Sequence, residues 1–194
     1  MLSFVSMPSR DERALKLKKL TEIMQIRGVR VYAHWSLLLI GTLILLGAFE
    51  RPAETLAAWI AFFSVILIHE CGHMLMAQWK GYDVLAIELY PIHGFVRFQE
   101  PWSRYDDALI AWGGVLAQAA VALPLVTWVA IFGFTRSDPA NVAIGILGYY
   151  SLVVALFNLI PVAPLDGAKA WRLIPELIKG IRTRRAKPKR AVGW

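Results

Sequence analysis

His69, Glu70 and His73 form an H-E-x-x-H run, HECGH. On a helix this spacing puts the two imidazoles one turn apart on one face. Two such nitrogens can share a Zn²⁺, and the glutamate between them can act as base toward a water that the metal activates. Catalytic zinc takes three protein ligands and keeps one position open, so two histidines leave the site incomplete. Asp166 is the outstanding candidate for the third. It follows FNLIPVAPL, where Pro161 and Pro164 forbid an undisturbed helix. Unwound backbone at membrane depth is tolerated only inside protein or along a wet cavity, and a carboxylate there needs a partner. A dication is one such partner. The other use of Asp166 is to cap a helix starting near Ala168; the presence of HECGH favours the metal.

The HECGH run lies within FFSVILIHECGHMLMAQW, residues 62–79, which is otherwise apolar enough for a bilayer. Ionisable groups in such a span are costly and mark function by default. The whole chain agrees with a membrane setting. Of 194 residues, 57% are hydrophobic and 18% charged, with a mean hydropathy of +0.51, which does not suit a water-soluble globule. The net charge of +7 does not indicate nucleic acid, because seven of the 21 Lys and Arg precede Val31 and nine follow Pro161. Basic ends around apolar spans follow the positive-inside pattern instead. A single cysteine, Cys71, excludes an intrachain disulfide. It points roughly 160° away from the His69–Glu70 side of the helix and reads as a bystander thiol. The first 30 residues do not read as a cleavable leader.

Four spans are expected, at about 31–49, 55–79, 108–134 and 140–160, giving an all-α membrane protein. Residues 1–30 form an N-terminal segment, with Asp11–Ile26 expected as an amphipathic surface helix and Ile26–Tyr32 as a short strand. The first span holds only about 15 strongly apolar residues and needs Val31–His34, or a thinned bilayer, to cross. His34 at its start reads as interfacial rather than metal-ligating. Asp83–Phe98 alternates around PIHG and reads as a membrane-associated β-hairpin, 84–98. In the third span Gly113 and Gly114 point to close helix approach and Pro124 to a kink. The core, 31–180, ends in a short helix resuming near Ala168. The basic tail, 181–194 and the residues from Lys179 leading into it, reads as disordered. With one arginine in each outer loop, both termini and the hairpin loop are expected on the cytoplasmic side.

These residues resemble the site-2 protease family of intramembrane zinc metalloproteases. HECGH at 69–73 is similar to that family's H-E-x-G-H, and NLIPVAPLDG at 158–167 to its N-x-x-P-x-x-x-x-D-G. YPIHGFVRF at 90–98 resembles its β-hairpin, and GVRVYAHWSLLL at 28–39 the lead-in to the first span of compact members. The resemblance covers roughly residues 26–180. It implies His69, His73 and Asp166 as ligands to one Zn²⁺ per chain, Glu70 as catalytic base, and Asn158 as holder of the substrate backbone or a developing oxyanion. Asn158 could instead bond carbonyls freed where the helix breaks. There are departures. Gly113-Gly114 stands where many members have Gly-Pro, Gln118 where many have Asn, and His93, read as a solvated loop histidine, replaces the first of two hairpin glycines. Nothing resembles the PDZ or CBS domains that some members carry.

The function expected on this basis is zinc-dependent endoproteolysis of transmembrane segments, with a membrane-protein substrate and the lipid bilayer as partners. The setting is a multi-pass membrane protein, in a prokaryote that of the cell membrane. The rival reading is an inactive zinc-binding homologue serving as adaptor or immunity factor, against which the intact Glu70 stands. Four histidines are too few for a metal-dependent membrane oxidase, and four short spans without a repeat fit a transporter poorly.

Overall fold

The computed structural model describes residues 20–91 and 93–186. Among the described residues, three helices are long and apolar enough to cross a membrane: α2 (Pro52–Trp79), α3 (Arg104–Phe132) and α4 (Asp138–Asn158), with mean hydropathies of 1.6, 2.1 and 1.9. Helices satisfy every interior backbone group within the segment, which lipid requires. The ends are set locally. α2 opens on Pro52, which needs no amide partner there. α3 is capped by the Ser103 side chain, which accepts from the Asp106 amide at 3.1 Å. It closes at Gly133, whose φ of 76° suits glycine. Pro124 is carried within one continuous helix. α4 contains a π-helical stretch, Gly145–Tyr150, that no residue pattern had announced. α2 is the central helix: 44% of its most apolar window is buried in protein, against 17% for each of the others.

Where α2 crosses α3 the backbones touch. A Cβ on Gly72 would run into the Gly113 carbonyl and come within 2.7 Å of Ala117 Cβ. This is the small-residue contact that lets membrane helices pack closely.

The expected first span needs correction. Val29–His34 is a strand, β2, and helix α1 starts only at Ser36, running to Leu45 and ending in a 3₁₀ turn, Leu46–Phe49. Its helical length is about 23 Å, short of a hydrocarbon core of roughly 30 Å. Among the described residues, three of the four expected spans are matched by helices long and apolar enough to cross, and the first by a short apolar helix. Pairing with β3, to which the β-branched Val29 and Val31 are suited, makes this stretch a strand rather than a continuation of the span.

The all-α expectation is also revised, because the hairpin belongs to a four-stranded sheet in the order β1-β2-β3-β4. β1 (Leu20–Ile26) takes the place of the end of the expected amphipathic helix, the rest of which lies outside the described residues. Arg27 and Gly28, with φ of 50° and 83°, make the tight turn from β1 into β2. β2 runs parallel to β3 (Val84–Leu89), and β3 pairs antiparallel with β4 (Gly94–Phe98), setting Glu88 opposite Phe95 and Leu89 opposite Gly94. One sheet face, with Val29, Val31, Ile87 and Leu89, packs on Met74 of α2 and Leu37 of α1, with Cys71 at the margin. The sheet is thereby fixed to the helix that carries HECGH.

Beyond Asn158 the chain unwinds, passes a cis Ala163–Pro164 peptide, and re-enters helix at α5 (Gly167–Ala170) and α6 (Leu173–Ala186). The tail expected to be disordered from Lys179 is helical through Ala186; residues 187–194 lie outside the described residues.

Candidate metal centre and active site

α2 presents His69 and His73 side by side, their rings edge to face at 4.6 Å between centroids. Their Nε2 atoms lie 3.0 Å apart. Asp166, 97 residues from His69 in sequence, places Oδ2 2.8 Å from His69 Nε2 and 3.2 Å from His73 Nε2. Asp166 makes no side-chain capping bond to α5; its carboxylate turns to the histidines instead.

The outer ring nitrogens are engaged as well. His73 Nδ1 donates to the Ile110 carbonyl at 2.7 Å, and His69 Nδ1 lies 2.9 Å from Gln118 Oε1. A carbonyl oxygen only accepts, so Nδ1 of His73 carries its proton; with Oε1 of Gln118 accepting, so does Nδ1 of His69. Each Nε2 is then a lone-pair donor in the neutral ring. Two such nitrogens and a carboxylate oxygen converge within 4.8 Å with no donor of their own between them. The three atoms could hold a cation, and the nitrogen, nitrogen and oxygen set with outer-shell partners fits zinc.

Glu70 is 4% exposed. The first residue of β4, Gly94, lies directly against its carboxylate, so closely that a Cβ there would collide with it. The hairpin thus covers the glutamate. Gly114 of α3 lies against both imidazoles. Asn158 is the last residue of α4 and half-buried, and its side chain has no hydrogen-bond partner among the described residues. The freed Leu159 carbonyl is taken up by the Trp171 indole, at 2.7 Å, rather than by Asn158.

His34 and His93 stand apart from this cluster. They stack on Tyr90, at 5.1 Å and 5.5 Å between centroids, and His34 Nδ1 bonds Ser36 Oγ at 2.6 Å. His93 is exposed in the hairpin turn. Gln118 is the residue whose part the sequence concealed. It is 0% exposed, and a fully buried amide on an apolar helix must find a partner. That requirement was the available signal, but its partner lies 49 residues away.

A helical membrane protein with a His–His–Asp cluster, its histidines buried, and an adjacent buried glutamate is the class this geometry defines. Comparison with known proteins agrees. Residues 57–143 match the model of Peptidase family M50. A Synechocystis protein provisionally named zinc metalloprotease is 32% identical over 63% of this chain and 33% of its own length. A zinc metalloprotease of Methanocaldococcus jannaschii is 25% identical over 78% of this chain and 44% of its own. Stage IV sporulation protein FB of Bacillus subtilis is 24% identical over 75% and 48%. The chain thus spans about a third to a half of these relatives' length. In fold it is similar to the site-2 protease from M. jannaschii, with a TM-score of 0.65 and 23% identity, over 81% of this chain and 72% of that one. Residues 57–143 are thus similar to peptidase family M50 and the chain is similar in fold to a site-2 protease; the chain is an integral membrane protein.

Proposed function

We propose that the chain is a zinc-dependent endopeptidase that cleaves transmembrane segments of other membrane proteins. His69, His73 and Asp166 are the ligands to one Zn²⁺, and Glu70 is the general base. The observation that carries this reading is the convergence of the three donors from α2 and the unwound end of α4, beside a buried glutamate. Zinc at that point would supply Lewis acidity, drawing the pKa of a water toward about 7 and polarising the scissile carbonyl.

The chain's own residues do the rest. Glu70 accepts the proton of the attacking water and hands it to the departing amine. Gln118 and the Ile110 carbonyl fix the two imidazoles with Nε2 turned inward. Asn158, its amide uncommitted, is available to hold the substrate carbonyl as negative charge develops. β4 is a terminal strand of the sheet, and its first residue touches Glu70. A substrate segment unwound at this edge would pair with it as an added strand, exposing its peptide bond next to the base. Both termini lie on the cytoplasmic side, as the distribution of Lys and Arg supports.

Asp166→Ala tests the third ligand. Purified in detergent and offered a tagged single-span substrate, this variant is expected to lose zinc on dialysis and to show no cleavage above background. Full zinc content together with wild-type cleavage would remove Asp166 from the site.

A further inference from the structure

Asp166 stands on no regular span, so its backbone must be held by other means. α4 ends at Asn158; the Leu156 and Phe157 carbonyls still accept from the Leu159 and Ile160 amides, at 3.1 Å each, but the Leu159 carbonyl lies past the helix end. At membrane depth that group needs a donor. The indole N–H of Trp171 donates to the Leu159 carbonyl at 2.7 Å, which joins the two ends of the unwound segment. The indole N–H of Trp112 donates to the Ala170 carbonyl at 3.1 Å, which ties the far end of α5 to α3. The two rings meet edge to face, 5.6 Å between centroids. Within the loop they close, Gly167 sits so near the Leu159 and Ile160 carbonyls that a Cβ would collide with both. The Asp166 carbonyl is bonded in turn by the amides of Lys169 and Ala170, at 2.9 Å and 2.8 Å.

α3 contributes no ligand, yet all three ligands lean on it. Ile110 backs His73, Gln118 backs His69, and Trp112 lies between them in sequence. We propose that Trp171 and Trp112 are positioning residues for Asp166, their indole N–H groups setting where the carboxylate meets the two histidines. This inference rests on the metal-site reading above. It assigns α3 the role of a template that aligns ligands from two other parts of the chain.

Phenylalanine at either position keeps an aromatic ring and removes the N–H. Zinc affinity of the purified full chain, measured by competition with a chromophoric chelator, reads the effect without reference to activity. Trp171→Phe and Trp112→Phe are each expected to weaken zinc binding roughly three- to tenfold, the scale of one lost hydrogen bond. On an Asp166→Ala background the same changes are expected to cost nothing further, because the ligand they position is gone. Wild-type affinity in either Phe variant would remove that tryptophan from the proposal. A loss of equal size on both backgrounds would mean a general packing role and overturn the proposal. Asp166→Ala with undiminished affinity is a different result, one that contradicts the metal-site reading itself.

Discussion

Glu70→Gln is expected to bind zinc as the parent chain does and to cleave on the order of a thousandfold more slowly, a loss within the usual range for a positioned general base. Glutamine matches glutamate in size, so the contact with Gly94 and the seat beside the imidazoles are preserved. The variant loses only the capacity to take up a proton. The site makes this a demanding role: with 4% of Glu70 exposed, no bulk water stands ready to replace it as base. Metal content and cleavage of a single-span substrate, measured on one preparation, separate the alternatives. Zinc retained with cleavage lost supports the assignment. Cleavage at the parental rate would mean that another group moves the proton.

Gly72→Val should have an effect of comparable size for a different reason. The Gly72 position faces the Gly113 carbonyl, and backbone there cannot turn aside as a long side chain would. The added side chain must push α2 and α3 apart, at a cost typical of an overpacked core, about 1–3 kcal/mol or more. It also pulls His69 from Gln118 and His73 from the Ile110 carbonyl, the two bonds that bridge these helices at the site. Loss of such outer partners commonly weakens a metal by roughly 10- to 100-fold. A lowered thermal midpoint, lower zinc affinity and cleavage near background are therefore expected together. An unchanged midpoint with normal zinc affinity would show that the helices have room the structure does not display.

The parts of this architecture readable from sequence are those whose physics is local. HECGH needs only helical spacing to bring two imidazoles together, and the two prolines before Asp166 break a helix wherever they occur. The alternation around PIHG marks β3 and β4 without reference to the rest of the chain. What escaped depends on contacts between distant residues. Leu20 and Met24 are four apart, which fits a helix face as well as an exposed edge strand, and pairing with β2 decides between them. Val31–His34 is apolar enough to extend α1, yet the parallel partner β3 claims it. Gln118, in sequence only a departure from the family pattern, proves to be the partner of His69. Trp171 carried no signal at all, since only the fold brings its indole back to Leu159. The same holds for Asn158, whose expected alternative use, bonding the freed carbonyls, falls to that tryptophan.

The central claim is that a zinc site built from His69, His73, Asp166 and Glu70 hydrolyses a peptide bond within a membrane segment. Mass-spectrometric mapping of the fragments tests it most directly, with the purified chain and a single-span substrate in lipid nanodiscs, before and after chelation and again with zinc restored. The expected result is a cut inside the apolar segment that disappears on chelation and returns with zinc. A cut confined to the soluble flanks, or one indifferent to the chelator, would contradict it.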